Sequence, residues 1–389
     1  MEQGKNPLFS DMEEDPNADP APVMVEGVPA ERPSPAPVEL GHVAGPRPLP
    51  DRVKLPKMPG VEPGDPMSEA GRKIFAFHFR RMLYHEPGTR EGEDIKALHD
   101  MRVATRRMRA AFRVFGSFFD PKVVAPHLKG LKRTGRALGA VRDLDVFRLK
   151  IQVYLDALSE LQRGSLDDLL VVWDEQREAA RQRMNAYLDS EKYHRFVERF
   201  DEFVETEGMG SLPMSLAGGE PRPYRVCHVA PMAVYGRLAA VRAYDEWVTI
   251  PDPPLARLHQ LRIACKGLRY TLEFFGEVLG PEARGVIEEV VTLQDHLGDL
   301  QDAVVAYSIL RGFLVWGTWG HDAVGVRAGV PVDKRRPDPE PALVAPGVAA
   351  YLAAKQSERQ HLVDTFPPAW QRLNGSEFRR MVAQAVSVL

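Results

Sequence analysis

The sequence predicts an all-α fold: two pseudo-symmetric helical bundles arranged around a basic groove or pore. Three observations carry this. Apolar residues recur at helical steps through most of residues 67–389. Two stretches, 95–119 and 255–279, repeat one pattern at an offset of 160 positions. Each stretch also gathers its cations on one side of the helix it predicts.

Residues 1–66 hold 15 of the 33 prolines and 12 acids against 6 bases, with almost no apolar periodicity. That composition predicts a disordered acidic tail. The ordered domain is expected over 67–389, opening on a helix near Pro66-Met67-Ser68-Glu69. Its apolar face is Ile74, Phe75, Phe79, Met82 and Leu83, and Pro87-Gly88 is expected to end it.

A helix from about Gly92 to Phe119 follows. His99, Arg102, Arg106, Arg109 and Arg113 lie at steps of 3, 4, 3 and 4, which stacks them in one stripe. Met101, Ala104, Met108, Phe112, Phe115 and Phe119 fall mostly on the other side. Arg107 adds charge beside the stripe, and Asp100 is the sole acid between 99 and 113. Solvated helix faces usually alternate signs, because pairs at i,i+4 relieve repulsion. Stacked cations of one sign call for an anion among them.

A third helix is expected over 121–158, carrying Lys129, Lys132, Arg133 and Arg136 as another one-sided basic patch. Gly135 and Gly139 are poor helix formers and point to a close helix–helix or ligand approach. Mixed-charge helices follow from Ser165 to about Leu188 and over 193–204, with no ligand role assigned. The Gly/Pro-rich stretch 208–222 reads as the hinge between a first half, 67–207, and a second, 223–389.

The second half repeats the order: helices over 230–247 and 254–279, then one from Pro281. His259, Arg262, Lys266 and Arg269 stand 160 positions after His99, Arg102, Arg106 and Arg109. Leu297-Gly298-Asp299-Leu300-Gln301-Asp302 follows Leu138-Gly139-Ala140-Val141-Arg142-Asp143 at an offset of 159. Residues 317–346 read as a loop insertion, and helices over 348–366 and 376–388 close the chain.

The paired H-x-x-R-x-x-x-[RK]-x-x-R helices and paired L-G-x-x-x-D segments resemble the CHAD family, named for conserved histidines in an α-helical domain. The resemblance covers roughly 67–389. It implies an all-α, two-fold pseudo-symmetric domain that binds inorganic polyphosphate, often at polyphosphate granules.

The residue chemistry agrees with that implication. Arginine offers phosphate a planar fork of two parallel hydrogen bonds and keeps its charge. Lysine, at Lys129, Lys132 and Lys266, adds point charges. The stripes lack the interleaved aromatics of single-strand nucleic-acid grooves, so nucleic acid ranks behind polyphosphate. For His99 and His259, arginine neighbours favour the neutral ring and a bound polyanion the charged one. Asp143 and Asp302 are expected to orient arginines from behind.

Two other readings stay open. One is phosphate-backbone binding of RNA or DNA. The other is a metal-dependent HD-type phosphohydrolase using His99-Asp100 with His78, His85, Asp143 and Asp145. The second copy reads His259-Gln260, and stacked arginines repel a divalent metal. The expectation is therefore a binding protein rather than an enzyme, with no cofactor and no metal.

The net charge of −3 hides the tail's −6 against about +3 for residues 67–389. Cys227 and Cys265 have no zinc-like spacing, and no apolar run suits a membrane span. Nor is there a secretory leader pattern. A reduced, cytoplasmic location is expected, at polyphosphate granules where the resemblance holds.

Overall fold

The computed structural model describes residues 55–92, 94–213, 221–316 and 345–389. The helices are α1 (Met67–Glu91), α2 (Ile95–Phe115), α3 (Pro121–Asp156), α4 (Asp167–Leu188), α5 (Glu191–Glu205) and α6 (Val226–Arg242). They continue as α7 (Asp245–Val248), α8 (Leu255–Phe274), α9 (Ala283–Trp316), α10 (Pro346–Asp364), α11 (Phe366–Asn374) and α12 (Ser376–Val386). Among the described residues only two isolated β-bridges occur, Pro66–Arg225 and Phe119–Ser211.

Local chemistry sets many of the helix ends. Asp94 caps α2 by accepting from the Lys96 amide, and Asp120 caps α3 through the Lys122 amide. Pro121 occupies the first turn of α3, where its missing N–H costs nothing. Ser190 caps α5 by accepting from the Tyr193 amide.

Against expectation, α1 runs through Pro87 and stops at Gly92, whose φ of 76° is left-handed. Tertiary anchors hold the last turn. Arg90 pairs with Glu86 at 2.8 Å, donates to the Leu188 carbonyl at 2.8 Å, and reaches Asp189.

The ordered chain also starts earlier than position 67. The Gly60 and Val61 amides donate to Glu277, and Arg81 donates to the Pro56 carbonyl at 2.7 Å. Val61 is 4% exposed, and Asp65 pairs with Lys73 at 2.8 Å. Residues 55–66 therefore belong to the packed domain. The rest of the expected tail, 1–54, and residues 317–344 of the expected insertion lie outside the described residues.

The core is one continuous cluster spanning both halves. Phe75 stacks on Phe112 at 4.1 Å, and Phe200 and Phe203 close around them. Phe115 crosses to Phe274 and Phe275 of the second half at 6.0 and 5.6 Å. Phe147, on the 36-residue α3, stacks on Trp173 at 4.4 Å and touches Tyr351 on α10. At about 1.5 Å per residue, α3 is long enough to reach both halves. The start of the expected hinge is pinned as well: the Asp120 amide donates to the Gly210 carbonyl at 2.7 Å.

Candidate functional site

The apolar side of α2 is buried as the spacing predicts: Met101, Ala104, Met108, Phe112 and Phe115 all lie in the core. The basic side is thereby turned toward α3 and α8. Arg102 approaches Asp143 on α3 at 3.7 Å. Arg109 lies against Gly135, where an added Cβ would stand 3.2 Å from its Nη1. The glycine thus allows the close approach its presence suggests.

Arg106 lies at the contact between α2 and α8. Its guanidinium sits over the Tyr270 ring at 5.9 Å, and its buried Nε has no hydrogen-bond partner. Burial pushes its pKa below the ordinary arginine value. Tyr270 opposes that shift, and Arg102, Arg107 and Arg269 add to it. Arg107 is 3.0 Å from Glu273 of α8. Arg113 is half-buried at the end of the stripe.

His99 is exposed beside this cluster. Partial desolvation, and then the charge of Arg142, push its pKa below the usual imidazole value, with Asp100 opposing.

On α8, His259 Nδ1 lies 2.7 Å from Gln301 Oε1. Gln301 matches Arg142 at the 159-residue offset, so the paired histidines meet different partners. The buried Arg262 Nε has no hydrogen-bond partner and faces Gly298, where an added Cβ would stand 3.8 Å away. Lys266 is 3% exposed, deeper than a solvated lysine would be. Arg269 donates to Glu273 at 2.8 Å. Cys265 is fully buried, and burial pushes its thiol up to about 12, leaving it inert.

The α3 patch is less uniform. Lys129 and Arg136 are exposed, Lys132 and Arg133 half-buried, and Arg133 lies within electrostatic reach of Tyr187 on α4. Asp143 has Arg102 as its neighbour, at 3.7 Å. Asp302 differs: it takes Lys150 of α3 at 2.7 Å, with Asp299 at 3.8 Å from the same ammonium. Lys150 extends far enough along α3 to reach across to α9.

Arg142, Lys150, Gln301 and Glu273 stand in or beside the site, although the motif spacing does not single them out. A signal for Arg142 was present: it continues the Gly135, Gly139 row of α3 at helical steps.

The HD constellation does not assemble. His78 is buried against Phe77 and Phe274, and burial, then Arg107 and Arg81, push its pKa well down. His85 stands 3.9 Å from Asp100, and Asp145 is held by Arg177 at 2.7 Å. Among the described residues no three His, Cys, Asp or Glu side chains group to hold a metal ion. No helix among them is long and apolar enough to cross a membrane.

Two uncharacterized proteins of Mycobacterium tuberculosis are similar to this chain: MT2285 (strain CDC 1551 / Oshkosh) and Rv2226 (strain ATCC 25618 / H37Rv). Each is 28% identical over 274 residues, covering 68% of this chain and 50% of the relative. The chain thus spans about half the length of these curated relatives. The crystal structure of the CHAD domain from the plant Ricinus communis superposes with a TM-score of 0.53 at 21% identity. It covers 85% of this chain and 94% of that one. PptA from Streptomyces chartreusis gives 0.53 at 15% identity, covering 79% and 100%. At such identities the likeness is one of fold. The CHAD domain family model matches residues 73–311, which take in both basic helices and both L-G-x-x-x-D segments. On that match over more than half its length, the chain belongs to the CHAD domain family.

Proposed function

We propose that this chain binds inorganic polyphosphate without cutting it, through a basic groove lined by α2 and α8 with support from α3. The carrying observation is the meeting of the two stripes. Arg106 and Arg262, one from each half, have buried Nε groups that lack an acceptor, and Arg102 of the first stripe and Arg269 of the second both lie within electrostatic reach of Arg106. Phosphate oxygens are the acceptors that guanidinium forks suit best. The internal repeat supports a shared ligand, since each half contributes an equivalent cation row.

Polyphosphate fits better than nucleic acid because the ring that meets the first stripe, Tyr270, is buried beneath Arg106 rather than open for a base to stack on. Hydrolysis is not part of the proposal. Asp143 and Asp145 are each engaged by arginine, and His78 is sealed among aromatic rings. In the cell this chemistry suits a cytoplasmic protein associated with polyphosphate granules.

The test is a polyphosphate titration across salt concentrations. Affinity is expected to fall steeply, by roughly 0.7 in log K per log salt for each phosphate contact, using the single-strand value as a guide. Replacing Arg102, Arg106 and Arg109 by Ala should abolish most of that slope, and chain length should be unchanged after incubation. A triple variant that binds as wild type, or divalent-dependent phosphate release, would refute the proposal. Competition with RNA at matched phosphate concentration separates the nucleic-acid reading.

A further inference from the structure

The two stripes differ at their fifth position. Where the first half carries Arg113, the second carries Glu273, at the same offset of 160. Glu273 does not point idly into solvent: its side chain is 16% exposed. Its Oε1 accepts from Arg269 Nε at 2.8 Å on its own helix, and its Oε2 lies 3.0 Å from Arg107 Nη2 on α2. The Arg107 contact lacks hydrogen-bond alignment, so charge rather than directed bonding defines it.

Its surroundings are strongly cationic. Arg107 is within electrostatic reach of Arg81, Arg106 and His78, and Arg269 within reach of Arg106. A carboxylate at this junction offsets a repulsion that would otherwise push α2 and α8 apart.

We infer that Glu273 is a built-in counter-anion that withholds Arg107 and Arg269 from a polyanionic ligand and so limits its footprint on the basic surface. The inference rests on the polyphosphate reading of the site. A phosphate chain approaching the junction meets guanidinium groups already paired, and a negative charge between them. Its productive contacts then fall on Arg102, Arg106, Arg109 and Arg262, short of the Glu273 end. Arg107 and Arg269, counted with the basic stripes on sequence grounds, become partners of Glu273 instead.

The test uses the full chain and long-chain polyphosphate. Glu273→Gln keeps an acceptor for Arg269 and removes the charge. It should tighten binding about three- to tenfold and steepen the salt dependence by roughly 0.7 to 1.4 in log–log slope, the equivalent of one or two added contacts. Adding Arg107→Ala to the Glu273→Gln variant should remove most of that gain. Unchanged or weaker binding by Glu273→Gln would overturn the assignment. Should that variant not fold, Arg107→Ala alone decides: a loss matching that of Arg102→Ala contradicts the inference. The Arg102, Arg106, Arg109 triple variant runs beside them. If it binds normally, the polyphosphate reading fails; if it loses binding while Glu273→Gln gains nothing, only the role of Glu273 fails.

Discussion

Replacing Arg106 by Met separates binding from stability, because the structure predicts different outcomes for the two. The guanidinium makes no hydrogen bond through Nε, and its distance from Tyr270, 5.9 Å, is at the limit of a cation–π contact. Removing that contact costs about 0.5 kcal/mol. Against this stand burial of the charge and the repulsion from Arg102, Arg107 and Arg269, which together lower the arginine pKa. Met retains most of the packed stem, and exchanging a buried charge for an apolar side chain is often neutral or stabilising. Unfolding free energy is therefore expected to stay within about 1 kcal/mol of wild type or to rise. Binding should move far more: losing a desolvated charge that meets a ligand phosphate typically costs about 2–5 kcal/mol, roughly 30- to 4000-fold. Denaturant unfolding without ligand and a polyphosphate titration at fixed salt give the two numbers. A variant destabilised by more than about 2 kcal/mol that still binds normally would show Arg106 to be a structural residue, and the reasoning would fail.

Two further predictions concern the fold. His127 lies 4.7 Å from the Phe203 ring, and burial, then Arg199, lower its pKa to about 4. The unfolded chain therefore takes up a proton near pH 6.5 that the folded chain refuses, so stability falls between pH 6.5 and about 4, by at most about 3 kcal/mol. His127→Phe should flatten that part of the Tm-against-pH curve, leaving the shares due to His78, His85 and His99, whose pKa values are also lowered; an unchanged curve would contradict the assignment. The second compares chains beginning at Leu55 and at Pro66. The shorter chain loses Val61, the two amide bonds to Glu277 and the Asp65–Lys73 pair, and should be less stable by roughly 3–5 kcal/mol in denaturant unfolding. Equal stabilities would put the boundary back at position 66.

The basic helices could be read from the sequence because their signal is local. Steps of three and four residues determine which side chains share a face, and the buried set Met101, Ala104, Met108, Phe112 and Phe115 follows directly. The extent of α3 and the start of α12 at Ser376 were legible for the same reason. What escaped depends on distant partners. Pro87 looks like a helix end until Leu188 and Asp189 are known to hold Arg90. Residues 55–66 look like the end of a tail until Glu277, more than 200 positions away, takes the Gly60 and Val61 amides. Asp302 has an arginine-rich helix nearby in the repeat pattern, yet its partner is Lys150 of the other half. Glu273 is the clearest case. It lies one turn beyond Arg269, outside the repeated motif, and only the packing of α2 on α8 brings it to Arg107.

The central claim is that both stripes serve one ligand, and chain length tests it most directly. A long phosphate chain that contacts one stripe meets the other at high effective concentration, whereas triphosphate can satisfy only one. The measurement is a titration of long polyphosphate and of triphosphate, at one salt concentration, into wild type and two matched variants. R102A/R106M neutralises the first stripe, and R262A/K266M the equivalent pair in the second, with Met filling the buried site of Lys266. Each variant should lose at least about tenfold more affinity for the long chain than for triphosphate, since it forfeits the linked second contact. Equal losses for both ligands in both variants would mean that the stripes act separately, and a groove shared between α2 and α8 would be contradicted.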